Sequence, residues 1–424
     1  MTVCAIETAA EDDGAVSRPG FTIAANGAYA ARLAGDGEAL FPERWTLDGP
    51  EPYAVPLPAA QPEDPHAQVL PLVDGRVLIA RRTGGRYVFS LLYPTGPRTG
   101  ELPLGAVESP ALRLLPPSPD GACAYALTPG EHSTGVWVVA GGRGGPEHVA
   151  EVEGRCAGGA WLDRTGRMLA LDRRQDEGGP VKAVAVDLER GGEVTPLLQI
   201  TEGSEDRVLL ADPDSGLLLI RSDAPSPGHH RLGWGVLGSM MPVRFPECLR
   251  LPDAAVTPFA IQPGQTLTPE TCAVALRIDA AAGSWVGLWR PAGRRLHQLP
   301  APRGWLAGAG LWSRDGVLRL PYATGTVPCG LARVDVARVE AARAGAERAG
   351  EAGRGEPGPG KPGAGEAESG SPGAAPEGLV PHPATESAQP EYAGGELPEP
   401  SATPGVCKPV PLQQAPLTGR TARG

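Results

Sequence analysis

The segment Gly130–Gly135 (GEHSTG) is where the chain places catalytic residue types closest together. It sets a serine beside a histidine between two glycines, one residue longer than the G-x-S-x-G pattern of a nucleophile elbow. An elbow exposes its serine on a sharp turn between a strand and a helix. Here both flanking runs have strand character, so the sequence predicts a solvated hairpin loop and no nucleophile.

Histidines could bind a metal ion or transfer protons, but their spacing in this chain argues against both roles. His229 and His230 are adjacent, and neighbouring side chains of an extended segment point to opposite sides, where they cannot readily share one ion. The other candidates are isolated in sequence: His66, His132, His148 and His297. We therefore predict no metal site, no catalytic residue, no cofactor-binding residue and no cofactor.

A glycine-rich run, Gly141–Gly145 (GGRGG), could suggest phosphate binding. It lacks the Lys-Ser/Thr pair and the following helix of a P-loop, so the sequence predicts a turn between two strands. Asp163, Asp187 and Asp335 recur beside turns, and we expect them to hydrogen-bond local backbone.

A recurring turn indicates the framework that must position these segments. Each turn has a glycine between two short apolar runs, and the glycines are 48, 46, 45, 50, 48 and 52 residues apart: Gly27, Gly75, Gly121, Gly166, Gly216, Gly264 and Gly316. A period of this size is typical of an architecture that repeats one supersecondary unit. The sequence therefore predicts an all-β, seven-bladed β-propeller, with a six-bladed ring as the alternative.

The third repeat shows the unit most clearly, as four short strands a to d. They are predicted at Ala111–Leu115, Cys123–Leu127, Gly135–Val139 and His148–Val152. Alternating apolar and polar residues, β-branched side chains and Gly-rich turns are typical of half-buried antiparallel strands. The evenly spaced turns and the scarcity of helical periodicity favour an all-β propeller.

The two ends of the chain are predicted to differ from the repeats. Repeat seven lacks a convincing strand d, and we expect Thr2–Thr8 to supply it and so close the ring. The propeller would then occupy residues 1–340, with residues 341–424 forming a short helix and a disordered tail. This tail is rich in Gly, Pro, Glu and Ala and nearly free of aromatic residues, so it cannot bury enough apolar surface to fold.

Several of the turns resemble those of a known repeat family. Ser118–Gly121 (SPDG) and Trp312–Gly316 (WSRDG) are similar to the W-S-P-D-G turn of TolB-type (PD40), WD40-like propeller repeats, and Trp161–Gly166 and Ala211–Gly216 are looser versions. The resemblance implies a radial propeller with strand a innermost and a central channel. Propellers of this group bind protein partners or cap a hydrolase domain.

Composition limits the classes of function. The net charge is −11 and no basic patch stands out, so nucleic acid is not an expected partner. The longest aliphatic stretch, Leu217–Ile220, is far shorter than a membrane span, so we expect no membrane insertion. Seven scattered cysteines without a C-x-x-C pair indicate a reduced, cytoplasmic protein.

The sequence thus favours a non-catalytic, monomeric propeller that acts as a protein-binding or scaffolding platform, with another protein seated on one rim of the channel. The alternative is a small-molecule enzyme or ligand sensor, hydrolase- or lyase-like, with its site in the central funnel. Converging ionisable side chains with perturbed pKa values would favour the alternative. Trp234 and Trp305 are predicted to lie on an exposed binding face, whereas five other tryptophans should fill space between blades: Trp137, Trp161, Trp285, Trp289 and Trp312.

Overall fold

A computed structural model describes residues 20–37, 39–59, 61–339 and 341 of the chain. Its strands form seven separate antiparallel sheets, each built from strands that follow one another in sequence. We call these sheets blades 1 to 7 and their strands a to d, from the channel outward. The all-β, seven-bladed prediction is confirmed, and the six-bladed alternative is wrong.

The first four blades each have four strands. Blade 1 contains β1 (Thr22–Ile23), β2 (Tyr29–Ala34), β3 (Phe41–Thr46) and β4 (Tyr53–Pro56). Blade 2 contains β5 (Gln68–Pro71), β6 (Val77–Thr83), β7 (Arg86–Pro94) and β8 (Thr99–Glu108). Blade 3 contains β9 (Arg113–Leu114), β10 (Ala124–Pro129), β11 (Ser133–Ala140) and β12 (Glu147–Glu153). Blade 4 contains β13 (Arg155–Trp161), β14 (Met168–Arg174), β15 (Val181–Asp187) and β16 (Glu193–Leu198).

The last three blades are less regular. Blade 5 contains β17 (Asp206–Ala211), β18 (Leu217–Ser222) and β19 (Arg231–Val236). Blade 6 contains β20 (Ala254–Ile261), β21 (Val274–Ala280), β22 (Gly283–Trp289) and β23 (His297–Pro300). Blade 7 contains β24 (Leu311–Trp312), β25 (Val317–Tyr322) and β26 (Gly330–Asp335). Within residues 20–341, the described connections contain three short 3₁₀ helices, at Leu188–Arg190, Glu247–Leu249 and Pro269–Thr271.

The outer edges of blades 5 and 7 have no regular fourth strand in the described part of the chain. In blade 5 an isolated bridge between Trp234 and Arg244 takes that position. In blade 7, β26 pairs with β25 alone, and the chain turns helical at residues 336–339 and 341. The predicted closing strand Thr2–Thr8 and the predicted tail from residue 342 onward lie outside the described residues, so both stay predictions.

The seven predicted turn glycines all connect strand a to strand b, and all have φ between 65° and 92°. This left-handed conformation strains any residue with a Cβ atom. Gly121 carries a second constraint, because an added Cβ would lie 1.9 Å from a Val73 methyl of the preceding blade. The repeat period therefore follows from backbone geometry and, at Gly121, from close contact between blades.

Seven hydrophobic clusters hold the ring together, one between each pair of neighbouring blades. The cluster between blades 3 and 4, for example, packs Leu127 and Val136 against Leu169 and Val184. Burying a side chain of this size contributes about 1.5–3 kcal/mol. The seventh cluster, which packs Trp45 of blade 1 close to Leu331 of blade 7, closes the circle.

Lys182 is the one lysine within residues 20–341, and it joins blade 4 to blade 5. Its ammonium on β15 donates to the Thr201 and Ser204 carbonyl oxygens and, at 2.9 Å, to Oδ2 of Asp206. Asp206 is fully buried and also accepts a hydrogen bond of 2.6 Å from the Ser222 hydroxyl. The buried ion pair and its hydrogen bonds thus help to fix the connection between β16 and β17.

The cysteines of the described residues are unpaired thiols: Cys123, Cys156, Cys248, Cys272 and Cys329. Burial raises the pKa of Cys156 to about 11, which keeps this thiol protonated and unreactive at neutral pH. No helix in this part of the chain has the length and apolar character needed to cross a membrane.

Candidate functional site

The a–b turns of the blades surround one end of the central channel, where they enclose a cavity of about 840 Å³ that we call the funnel. Every blade contributes to its wall. One lining residue from each of blades 1 to 7 is, in that order, Asn26, Val73, Pro119, Arg164, Asp214, Pro263 and Arg314. Prolines are frequent in the wall and make parts of it rigid and apolar. A cavity of this size and composition can accept a small molecule or an extended segment of another protein.

Most charges on the blade 3 to blade 5 side of the funnel are already compensated. Arg164 of blade 4 forms a two-pronged ion pair with Asp214 of blade 5. Burial acts to raise the pKa of Asp120, but the hydrogen bond from Ser118 and those from nearby backbone N–H groups lower it overall. Burial raises the pKa of Asp212, which accepts a hydrogen bond of 2.5 Å from the Ser215 hydroxyl.

The blade 7 side of the funnel has hydrogen-bond donors without acceptors. Within the described chain, the buried indole nitrogen of Trp312 and the buried Nε of Arg319 have no partner. Arg314, which is exposed on the rim, forms no ion pair with a described residue. A buried donor without an acceptor is costly. Because both nitrogens are shielded from solvent, an oxygen of a ligand in the funnel could bond to them only if Trp312 or Arg319 shifts.

An equivalent position in blade 4 shows what Trp312 lacks. Trp161, like Trp312, ends strand a of its blade, and its indole N–H donates to the Pro116 carbonyl of the preceding blade at 3.1 Å. Pro263 takes the place of Pro116 in the turn that precedes blade 7, and it lines the funnel, but Trp312 makes no such bond within the described residues. The unsatisfied donor is therefore a particular feature of blade 7 and not a property of the repeat.

A second group of charged residues lies at the channel end opposite the funnel. Asp172 at the end of strand b of blade 4 is 7% exposed and accepts a hydrogen bond of 3.1 Å from the Val208 N–H. Burial raises its pKa to about 6, and the Val208 N–H and the charges of Arg207, Arg221 and Arg113 offset only part of this effect. We call Asp172 with Arg113, Arg207 and Arg221 the arginine cluster.

The raised pKa of Asp172 gives stability a definite pH dependence. The folded carboxyl ionises near pH 6 and the unfolded one near pH 4, so the folded state is penalised increasingly as the pH rises from 4 to 6. Asp172→Asn keeps an acceptor for Val208 and removes the charge. The unfolding free energy of the variant minus that of the parent should therefore increase by about 2–3 kcal/mol as the pH rises from 4 to 7. Urea denaturation of both proteins at each pH measures this difference. Parallel stability curves for the two proteins would contradict this assignment.

The serine of the Gly130–Gly135 segment has a partner that the sequence did not indicate. Ser133 begins β11 and donates to Glu151 of β12, which also contacts Nε2 of His148 at 2.8 Å. The adjacent His132 points to solvent with its side chain 89% exposed. Because the carboxylate stands between the serine and the histidine, the imidazole cannot take the serine proton as it does in a catalytic triad.

The other candidates of the sequence analysis lie where their patterns indicated. Gly141–Gly145 connects β11 to β12. Asp163, Asp187 and Asp335 each accept hydrogen bonds from backbone N–H groups of residues that follow them closely. His229 and His230 lie in the connection between β18 and β19, and the described residues contain no group of three metal-binding side chains.

The prediction for Trp234 is wrong. Its side chain is 7% exposed and belongs to the cluster between blades 5 and 6. Trp305 is half-buried, packs edge-on against Phe259 at 5.4 Å and donates to the Ala309 carbonyl. Both indoles are therefore structural. Trp161, Trp289 and Trp312 pack between blades as predicted.

Comparisons with known proteins return a likeness of architecture. No family model matches the chain, and no curated protein matches it. Similar solved structures include prolyl oligopeptidase B from Galerina marginata (13% identity, 74% of this chain, 48% of that chain, TM-score 0.48). They also include the β-propeller domain of the Trilobed protease from Pyrococcus furiosus (13%, 75%, 95%, 0.48) and TolB from Acinetobacter baumannii (12%, 73%, 78%, 0.41). The chain spans about half the length of the oligopeptidase.

Proposed function

We propose that the chain is a protein-binding platform of TolB-type (PD40) repeats, monomeric and cytoplasmic, whose partner protein docks on the face that carries the a–b turns. The observation that carries this proposal is the funnel, a cavity to which all seven blades contribute and whose blade 7 side is lined by Trp312 and Arg319, each with a buried donor that lacks a partner in the described chain. A segment of the partner with a carboxylate or carbonyl oxygen would complete the hydrogen bonding of Trp312 and Arg319.

Exposed apolar side chains on the same face support a protein partner. In an antiparallel blade the a–b and c–d connections lie at the same end of the strands. Met240 follows strand c of blade 5 and Leu267 lies in the long a–b connection of blade 6, and both are 93% exposed. Exposed large apolar residues beside a cavity are typical of interaction surfaces, and methionine adapts well to partner shape.

Site-specific photocross-linking in the source cells tests the proposal. Benzoylphenylalanine replaces Arg314 on the funnel rim in one variant and Val327 in the other. Val327 is a matched control, since it is exposed in the same blade but lies in the b–c connection on the opposite face. We expect one protein to be cross-linked from position 314 and not from position 327. Equal cross-linking from both positions, or none from position 314, would overturn the proposal.

A conservative substitution of Trp312 tests whether the partner protein binds the indole N–H. Trp312→Phe keeps an aromatic ring between the blades and removes the indole N–H. If the N–H binds the partner, affinity should fall about five- to tenfold, the effect of losing one hydrogen bond in a desolvated site. The same yield of cross-linked partner from position 314 with and without Trp312→Phe would show that the N–H is not used.

A small-molecule enzyme or ligand sensor is the second candidate function. The observation that favours it is the arginine cluster, where ionisable residues of blades 3, 4 and 5 converge and Asp172 has a pKa of about 6. A strongly perturbed acid beside charged partners is common at functional sites. This candidate site lies at the channel end opposite the funnel, and not in the funnel, where the sequence analysis placed it.

A further inference from the structure

Two arginines stand directly opposite each other in blade 5, at the channel end opposite the funnel. Arg207 of β17 and Arg221 of β18 are cross-strand partners in the register of the sheet. Like charges in this position destabilise a sheet. They belong to a wider excess of positive charge, because the two inner strands of blades 3, 4 and 5 together contain six arginines and two aspartates.

The acidic neighbours compensate these arginines incompletely. Arg207 lies 4.0 Å from Asp172, beyond hydrogen-bond distance, and 3.4 Å from Glu205. Arg221 forms no ion pair with a described residue, and its Nε is shielded from solvent and has no partner there. Burial and the nearby Arg207 lower the pKa of Arg221. A partly buried guanidinium without an acceptor is unfavourable unless a ligand supplies one.

Arg113 is the exposed member of the arginine cluster. It comes from blade 3, and its charge acts on the same Asp172 carboxylate. Gly158, at a bulge of β13, packs against that carboxylate, since a Cβ there would lie 2.9 Å from Oδ2 of Asp172. Guanidinium groups from blades 3 and 5 thus act on one buried carboxylate, and a ligand would reach them from the side of the exposed Arg113.

We propose that the arginine cluster binds a phosphate-class oxyanion, either free phosphate or the phosphate group of a small metabolite. Guanidinium groups recognise such oxygens with paired, charge-assisted hydrogen bonds. Three guanidiniums from two sides suit a tetrahedral anion with at least three acceptor oxygens better than a planar carboxylate. This proposal rests on the second candidate function and specifies the ligand of its site. It does not depend on the funnel or on the protein partner proposed to bind there.

Calorimetric titration of the full chain at constant ionic strength and pH 7.5 tests this site. The probes are inorganic phosphate, glycerol 3-phosphate as a phosphate monoester, and citrate as a polycarboxylate. We expect saturable 1:1 binding of phosphate or of the monoester, and the tighter of the two identifies the source of the phosphate group. No saturable binding of either, or tighter binding of citrate than of both, would overturn the proposal.

Three variants and a matched control locate the binding. Arg207→Gln and Arg221→Gln should each weaken binding at least about tenfold, since each removes charge-assisted hydrogen bonds. Asp172→Asn should instead tighten it about three- to tenfold, because it removes the carboxylate that competes for the same guanidiniums. A loss of folding cannot produce such a gain. Unchanged affinity in all three variants would place any binding elsewhere.

Arg44→Gln is the control, since Arg44 is also partly buried with an Nε that lacks a partner in the described chain. It lies in blade 1 beside the Tyr29 ring and does not belong to the arginine cluster. We expect its affinity for phosphate to equal that of the parent protein. Equal weakening by Arg44→Gln and Arg221→Gln would indicate a general charge effect and overturn the assignment. The cross-linking experiment probes the funnel and the calorimetric titration probes the arginine cluster. The proposal of a protein-binding platform and the proposal of a phosphate site can therefore fail independently.

Discussion

Lys182→Met is expected to lower the free energy of unfolding by about 3–5 kcal/mol, as is typical when one partner of a buried ion pair is removed. Asp206 would keep its charge in a fully buried position after losing the ammonium. The Thr201 and Ser204 carbonyl oxygens would lose their donor as well. Equilibrium denaturation followed by tryptophan fluorescence measures the change as a shift of the transition midpoint.

Two further variants show whether burial of the ion pair causes this effect. Arg76→Met breaks an ion pair with Asp74 in which the side chains are 41% and 46% exposed, and it should cost at most about 0.5 kcal/mol. Lys182→Met combined with Asp206→Asn should recover part of the loss, because the uncompensated charge is gone. A loss below 1 kcal/mol for Lys182→Met alone, about the size of a surface pair, would show that the pair does not hold blades 4 and 5 together.

Gly121→Ala is expected to destabilise the propeller by about 2–5 kcal/mol. The left-handed backbone at this turn costs an alanine about 1–2 kcal/mol, and overpacking adds about 1–3 kcal/mol. The overpacking arises because the new methyl would overlap a Val73 methyl of blade 2, 1.9 Å away. The midpoint of urea denaturation measures the total.

A substitution at Gly264 separates the backbone strain from the overpacking. This glycine occupies the equivalent turn of blade 6 with φ of 92°, but an added Cβ would meet nothing within 4 Å. Gly264→Ala should therefore show the backbone strain alone, about 1–2 kcal/mol. Combining Gly121→Ala with Val73→Ala should cost less than the sum of the single changes, because the clash is relieved. Equal effects of the two glycine substitutions would contradict a role of inter-blade contact at Gly121.

The repeat could be predicted because its signals are local. A glycine with positive φ in each a–b turn and the alternating runs beside it lie within about ten residues of each other, the range over which sequence patterns are informative. In the third repeat, the predicted strands c (Gly135–Val139) and d (His148–Val152) lie within β11 and β12.

The sites could not be predicted, because their residues meet through the ring and not along the chain. Arg113, Asp172, Arg207 and Arg221 come from three blades, and no short window contains more than two of them. The Ser133 and Glu151 contact depends on the register of β11 and β12, including its bulge. The one local signal in the sequence is that Arg207 and Arg221 stand on either side of the Ala211–Gly216 turn.

The error at Trp234 has a specific physical cause. Its neighbours Gly233 and Gly235 suggested an open, exposed segment. In the structure, an added Cβ at Gly233 would lie 2.8 Å from the Phe245 ring. The glycine therefore permits close packing of the following segment over blade 5, which covers the indole. Glycine beside an aromatic residue is compatible with tight burial as well as with exposure.

The hydrophobic cluster between blades 7 and 1 has a consequence for the order of folding. Six of the seven clusters join blades that are consecutive along the chain, so they can form with little loss of loop entropy. The cluster of Trp45 and Leu331 joins opposite ends of the described chain, and its closure must restrict nearly all of the intervening polypeptide. Refolding should thus proceed blade by blade through an open arc, and this last contact converts the arc into a ring in a late, slow step.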